Sequence, residues 1–337
     1  MISVMKRIVL KLVLPILVVA ITTIALTVTY MHRREIDLGD RTVTIIIQQG
    51  DSFAKISDAL VDSSVVAPKL ILRAYAKYEG VDTRLTPGRY DFAGRNSIKS
   101  VLERLRTADF FRIKVTIPEG ATIWKVASIL SERMGFDSAS FIALNADSAF
   151  LDSLSLPSLE GYLFPETYFF PWGIDLRQAA RDMVGQHHRL TEDLWPSEIM
   201  LGMSRYDILK LASIVEAETS VDDERGLVAS VYINRLREKM RLDADPTVIY
   251  GLGGLNRPLY RKDLKYNSPY NTYIYRGLPP TPINSPGLAS IKAALNPEST
   301  DYYYFVADET GGHHFSRTNA EHNRAIRRIR SGGKTSP

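Results

Sequence analysis

The chain has no cysteine. That excludes disulfides, thiolate-held metals and thiol nucleophiles, and it is compatible with an oxidising envelope compartment. A strong charge of either sign is also missing. Lys and Arg number 42 against 38 Asp and Glu, for a net charge of +4 and a pI near 9.0, too mild a balance to argue for nucleic acid as a partner. Histidine is scarce, at six residues. His313, His314 and His322 form the one local group, and their spacing lacks a ligand pattern such as HExxH, so no metal is expected. What the chain does have is an apolar content of 45% over 337 residues, enough for real cores and for two domains.

Leu12 to Met31 is an uncharged apolar run long enough to cross a bilayer. Lys6, Arg7 and Lys11 precede it and His32, Arg33 and Arg34 follow. The run is too long for the apolar core of a cleaved signal peptide and ends without a small-residue cleavage site. The expectation is an uncleaved transmembrane anchor over 12–31, with 1–11 in the cytoplasm and the rest outside the plasma membrane. Residues 32–41 read as a polar linker.

From Thr42 the pattern changes to strands and short helices, and it repeats. Val43–Gly50 leads into Asp51-Ser52-Phe53 and an amphipathic segment to Leu60; Val115–Gly120 leads into Ala121-Thr122-Ile123 and a second segment to Leu130. Each copy is an apolar strand, a glycine turn, and a Ser or Thr placed to cap a helix. Pro87 to Phe92 reads as a turn into a strand and Ile98 to Arg106 as a helix. The strand-Gly-[Asp/Ala]-[Ser/Thr] signature resembles LysM, a small glycan-binding module, over 42–135. Phe53 and Trp124 are then either sugar-stacking aromatics or core.

Residues 136–156 mix helix and loop. Leu159 to Pro171 (LEGYLFPETYFFP) is dense in aromatics around Glu160 and Glu166; with Tyr162, these suit a cleft wall that stacks on sugars, or else a strand with a proline-bounded edge. Leu176 to Leu194 reads as a helix with His187 and His188 on its solvated side. Gly277 to Gly287 carries too many prolines to be helix or central strand and reads as an ordered loop. Ile291 to Leu295 begins a helix, Tyr302 to Ala307 is a strand, and Arg324, Arg327, Arg328 and Arg330 lie on a basic C-terminal helix.

The central stretch runs from Ile208 to Thr247 and sets Glu216 and Glu218 at the end of an apolar helix. At 100° per residue, Ile208, Leu211, Ala212, Ile214 and Val215 share one arc; Glu218 falls roughly 50° from its centre and Glu216 roughly 110°. Burial raises a carboxyl pKa and so makes a general acid at neutral pH, which favours Glu218 as proton donor. The plainer alternative is a helix-end Glu paired with a cation such as Arg225.

The motifs EGYLFPETY, LASIVEAET, ASVYINRL, RLDADPTVIYGLG, YNTY, GLPP, SPG and YFVAD…GGHHF…EHN together resemble the YceG-like family, the endolytic murein transglycosylases. The resemblance spans essentially the whole chain and is densest from Glu160 to Asn323. It implies an α+β protein with a transmembrane helix, a LysM-like βα module and a mixed α/β catalytic domain over 136–330, followed by a tail at 331–337. It also implies a membrane-anchored enzyme that cuts peptidoglycan glycan strands internally, leaving 1,6-anhydro-N-acetylmuramic acid ends and terminating elongation. The catalytic Glu of the E-x-E-T motif is Glu218 here. Glycan-polymerising penicillin-binding proteins are the implied partners. Asp243, Thr281 and His314 depart from the family's pattern, in loops that grip substrate.

Ordinary glycosidases use two carboxylates. A lytic enzyme needs no activated water and no cofactor, because the sugar's own C6 hydroxyl attacks C1. One Glu can protonate the leaving oxygen and then take the C6 proton. Asn234, Asp245, Tyr270 and Asn271 are candidates to stabilise the positive charge that develops on the sugar. His313 is a further substrate contact, or with His322 a hydrogen-bonded hold on the C-terminal loop. Two other readings remain open. One is a hydrolytic muramidase with Asp243 or Asp245 as second carboxylate; the other is a peptidoglycan-binding scaffold without activity.

Overall fold

The computed structural model describes residues 2–196, 199–309 and 311–331, with side chains from Leu14 onward. The expected tail at 331–337 lies, apart from Ser331, outside the described residues. The chain forms two compact units, one from the residues up to Ile113 together with Phe170–Gly173, the other from Lys114–Phe169 and the residues from Ile174 onward.

The first unit opens with helix α1 (Ile2–Arg33), whose Leu14–Arg33 portion is apolar, long enough to cross a membrane and, before His32 in its last turn, unburied. The segment expected as a linker instead holds strand β1 (Glu35–Asp37), paired antiparallel with β4 (Arg95–Ser97). Strand β2 (Val43–Ile47), helix α2 (Phe53–Asp62), helix α3 (Lys69–Glu79) and strand β3 (Gly88–Phe92) follow in order. β2 and β3 pair antiparallel, with Ile45 opposite Tyr90. Helix α4 (Ile98–Arg106) closes the layer, on the bounds its sequence suggests. Gly50 turns at φ 87° and Ser52 accepts from the Lys55 amide to cap α2. The core is Ile47, Ile56, Leu60, Leu72, Tyr90, Phe92 and Leu102. Phe53 belongs to it, at 8% exposure, so it offers no ring face to a sugar.

Strand β5 (Arg112–Thr116) leads into the second unit at Lys114, and helix α5 (Ile123–Met134), capped by Thr122, follows. Short helices α6 (Ser138–Ala143) and α7 (Ser148–Ser153) lead to strand β6 (Thr167–Pro171) and helix α8 (Leu176–Thr191). The Oγ atoms of Thr116 and Thr167 meet at 3.0 Å. His187 of α8 is buried, not solvated: its ring lies 4.8 Å from Tyr162 and close to Phe164, and burial lowers its pKa to about 3. His188 is exposed, as expected. Helices α9 (Arg205–Glu218), α10 (Arg225–Arg237), α11 (Asp245–Gly251) and α12 (Leu288–Leu295) build the main core, where Ile208, Leu211, Ile214, Val228 and Ile291 are fully buried. The hairpin of β7 (Tyr304–Ala307) and β8 (His313–Ser316) sets Phe305 opposite Phe315, and helix α13 (Asn319–Arg330) ends the described chain.

Candidate active site

Helix α9 starts with a reciprocal cap. Ser204 Oγ accepts from the Asp207 amide while Asp207 accepts from the Ser204 amide, each at 3.1 Å. Its apolar face fills the core, and its end delivers the two acids to different surroundings. Glu216 is tied down. Its Oε2 accepts from the Gly287 amide at 3.0 Å and from Ser290 Oγ at 2.8 Å, with Arg225 Nη1 at 3.4 Å. The wheel puts this residue near the rim, yet its side chain is only 7% exposed, because Arg225 and the α12 N-terminus cover it. Arg225 therefore pairs with Glu216, and among the described residues no cation is in contact with Glu218.

Glu218 faces a cavity of about 750 Å³ that Asp243, Asp245, Tyr273, Arg235, Arg276 and His322 also line. Its Oε1 accepts one hydrogen bond, from Tyr232 Oη at 2.7 Å. Burial pushes its carboxyl up to about 7, and the Asp245 charge adds to that; the Tyr232 hydrogen bond and the positive charge of His313 and Arg235 oppose it. An acid held up in this way can both give and take a proton near neutral pH, as the group in a single-acid mechanism must.

A second set of bonds fixes the opposite wall. Asp243 turns the chain at a left-handed φ of 46°. The Ala244 amide then donates to Thr272 Oγ1 at 3.0 Å, and Thr247 and Thr272 share a hydroxyl contact of 2.9 Å. These lock the Asp245-Pro246-Thr247 corner against the Tyr270–Tyr273 loop. As a result Tyr273 Oη donates to Asp245 at 2.7 Å. Arg235, 9% exposed, is anchored by Nε to the Tyr303 carbonyl at 2.7 Å and by Nη1 to that of Leu242 at 2.6 Å.

Of the residues singled out in the sequence, Glu218, Asp243 and Asp245 meet in this cavity. The others hold the scaffold. Asn271 is fully buried; its Nδ2 serves the carbonyls of Leu264 and Tyr266 and its Oδ1 accepts the Tyr273 amide. Asn234 Nδ2 likewise serves Thr300 and Tyr302, both at 2.9 Å. Tyr270 Oη meets Thr281 Oγ1 at 2.9 Å, so one of the three departing positions has a structural hydrogen bond. Glu160 is 0% exposed. It accepts from the Ile123 amide and from Tyr250 Oη, and burial pushes it up to about 7. Tyr162 packs beside His187 and Tyr206. Glu166 is exposed and folds back on the Thr167 amide. His313 gives its amide and Nδ1 to Glu224, at 2.8 and 2.6 Å, which pins the hairpin to the start of α10. Trp124 lies half-buried, its ring 4.8 Å from that of Tyr250.

Tyr232, Arg235, Tyr273, Arg276 and His322 were not singled out for the site by sequence reasoning. A signal existed for two of them: Tyr232 and Arg235 are three apart on one helix face, polar among Val228, Val231 and Leu236. Tyr273 shares the Tyr270–Tyr273 segment, in which spacing alone does not separate the ring that reaches Asp245 from the one that reaches Thr281.

The proline-rich loop is ordered, as expected. Ser213 of α9 receives the Ile283 amide on its Oγ at 3.0 Å and the Asn284 amide group on its carbonyl at 2.9 Å. Gly161 lets this loop approach: a Cβ there would lie 2.6 Å from Pro282 Cγ, and its φ is +90°.

The sequence profile of the YceG-like family matches residues 45–328. An endolytic murein transglycosylase of Bacillus subtilis strain 168 is 33% identical over 303 residues, covering 84% of each chain. One from Streptococcus pneumoniae strain D39 is 28% identical over 318 residues, 84% of this chain and 58% of that relative's length. A yceG-like protein of Listeria monocytogenes, solved by crystallography at 2.6 Å, superposes with a TM-score of 0.57 at 32% identity, covering 85% of this chain and all of the other. With a profile match over most of its length and relatives this similar, the chain belongs to the YceG-like family.

Proposed function

We propose that this protein is a membrane-anchored endolytic murein transglycosylase that uses Glu218 as its single acid and base. The observation that carries the reading is the Glu218 carboxyl, lifted to about 7, facing a polar cavity and held by one hydroxyl. The names of the relatives from Bacillus subtilis and Streptococcus pneumoniae support the reaction class. Protonated Glu218 donates to the oxygen that bridges N-acetylmuramic acid and N-acetylglucosamine, and the C1–O bond breaks. The muramic acid C6 hydroxyl closes on C1 and returns its proton to Glu218. No water is consumed and the product ends in a 1,6-anhydro ring. Asp245, held by Tyr273, supplies negative charge toward the cationic sugar ring.

The β2–α2–α3–β3 order, with its strands paired antiparallel, supports a LysM-like module that holds glycan. The exposed apolar α1 supports a single-pass anchor in the plasma membrane, with the short end in the cytoplasm. Glycan-polymerising penicillin-binding proteins suit such a cutter as partners, since both act on a growing strand.

One observation favours a second reading. Asp243 and Asp245 line the same cavity as Glu218, so the two-carboxylate arrangement of a hydrolytic muramidase is available. Mass spectrometry of uncrosslinked glycan strands treated with wild type or Glu218→Gln decides between them. Internal fragments with anhydro ends, absent with the variant, are the expected outcome. Reducing ends would move the reaction to hydrolysis and point to Asp243 and Asp245. Strands bound but intact with both proteins would leave a scaffold.

A further inference from the structure

Helix α3 is apolar on two sides. Leu72 and Ala76 face the core of the first unit, as the inner stripe of a surface helix should. The outer side carries Leu70, Ala74 and Tyr78 at i, i+4 and i+8, all exposed, with Leu70 at 83% and Tyr78 at 86%. A solvated helix face would carry charge there.

The end of α1 explains the second stripe. His32, in the last turn of α1, is 7% exposed and stacks on Tyr75 of α3 with ring centroids 3.7 Å apart and planes within 2°. Tyr78 meets the far edge of Tyr75 at 6.5 Å. Directly after α1, β1 is held in register with β4, so no free linker separates the apolar helix from the folded unit. Tyr75 therefore sits at the level where the apolar run ends, and Tyr78 sits one turn from it. Arg33, Arg34, Lys77 and Lys99 are exposed around the same end, four cations against the anion Glu79, and the charges of Glu79, Lys99 and Arg33 all act on the His32 ring. Tyrosine rings and cations just beyond an apolar helix are what a membrane–water interface selects.

We propose that the outer face of α3 docks on the lipid surface, with Leu70, Ala74 and Tyr78 in the headgroup layer of the membrane that α1 crosses. The occupant is lipid, and the basic rim fits anionic headgroups. The first unit then stands directly on the membrane. The proposal rests on the reading of α1 as an anchor.

The absence of cysteine makes the test direct. Full-length chains carrying Ile21→Cys, Leu70→Cys or Tyr78→Cys are labelled with an environment-sensitive fluorophore and reconstituted in phosphatidylethanolamine–phosphatidylglycerol vesicles, with or without lipids brominated on the acyl chain. Bromine quenches only a dye that touches lipid. The expected result is quenching at Leu70 and Tyr78 of the same order as at Ile21, since an interfacial face reaches roughly 5–10 Å into the headgroup and acyl boundary. Quenching at Ile21 with none at Leu70 and Tyr78 overturns the docking and leaves the anchor standing; a protein covering the stripe would give that result. No quenching at Ile21 overturns the anchor and the docking with it.

Discussion

Replacing Glu218 by Gln should abolish strand cleavage and at the same time stabilise the protein, with a pH dependence that identifies the cause. Below pH 4.5 the acid is protonated in both folded and unfolded chains. As pH rises from 4.5, the unfolded chain ionises it freely while the folded cavity holds it neutral until about 7, so stability is lost across that window and the loss is complete above it. At about 1.4 kcal/mol per pH unit the full penalty is on the order of 3 kcal/mol, and water in the open cavity leaves about 2. Gln keeps the acceptor for Tyr232 Oη and carries no such penalty. For a unit of this size, thermal unfolding of the second unit should then shift upward by about 4–8 °C at pH 8 and hardly at all at pH 4. The amide can neither give nor take a proton, so the rate should fall by about 10²–10⁴. Melting curves of both proteins at the two pH values, read beside the cleavage assay, test the whole chain of reasoning. An equal offset at both pH values, or a variant less stable at pH 8, would mean that burial does not hold Glu218 neutral.

Tyr232→Phe removes the one hydrogen bond that favours the Glu218 carboxylate, so the acid should stay protonated longer. The alkaline limb of the pH–rate profile is expected to move up by about one pH unit; a downward move would reverse the assigned sign. Arg225→Met leaves Glu216 as a buried anion and should cost about 3–5 kcal/mol of stability, most of it recovered by adding Glu216→Gln, with melting temperature as the measure. Asn271→Ala removes the partner of two loop carbonyls and of the Tyr273 amide, and should lower stability by about 1–3 kcal/mol while any folded fraction keeps cutting. Gly161→Ala sets a Cβ against Pro282 at a positive φ. It should cost about 2 kcal/mol or more, and a melting temperature within a degree of wild type would refute the close approach.

What could be read from the residues, and what could not, divides along a physical line. Local signals were sufficient where the answer is local. Ser52 and Thr122 each announce the helix that they cap, and α4 keeps its expected bounds. The periodicity of α9 set Glu218 and Glu216 on different sides of the helix, but it could not show that Arg225 and the α12 N-terminus cover Glu216 as well. Buried polar side chains are harder. Asn234, Asn271 and Glu160 stand in the same dense motifs as the acid. Yet their polar atoms go to loop carbonyls or to a helix N-terminus, and only the fold shows which way each side chain turns. His187 was misplaced for a related reason: a histidine on a polar helix reads as solvated until the Tyr162–Phe164 loop is seen to cover it. The cavity itself is assembled from α9, α10, α11, the Tyr273 loop and α13, segments spread over about a hundred residues. An acid can be recognised from one helix; its neighbours cannot, and they are what make it an acid at neutral pH.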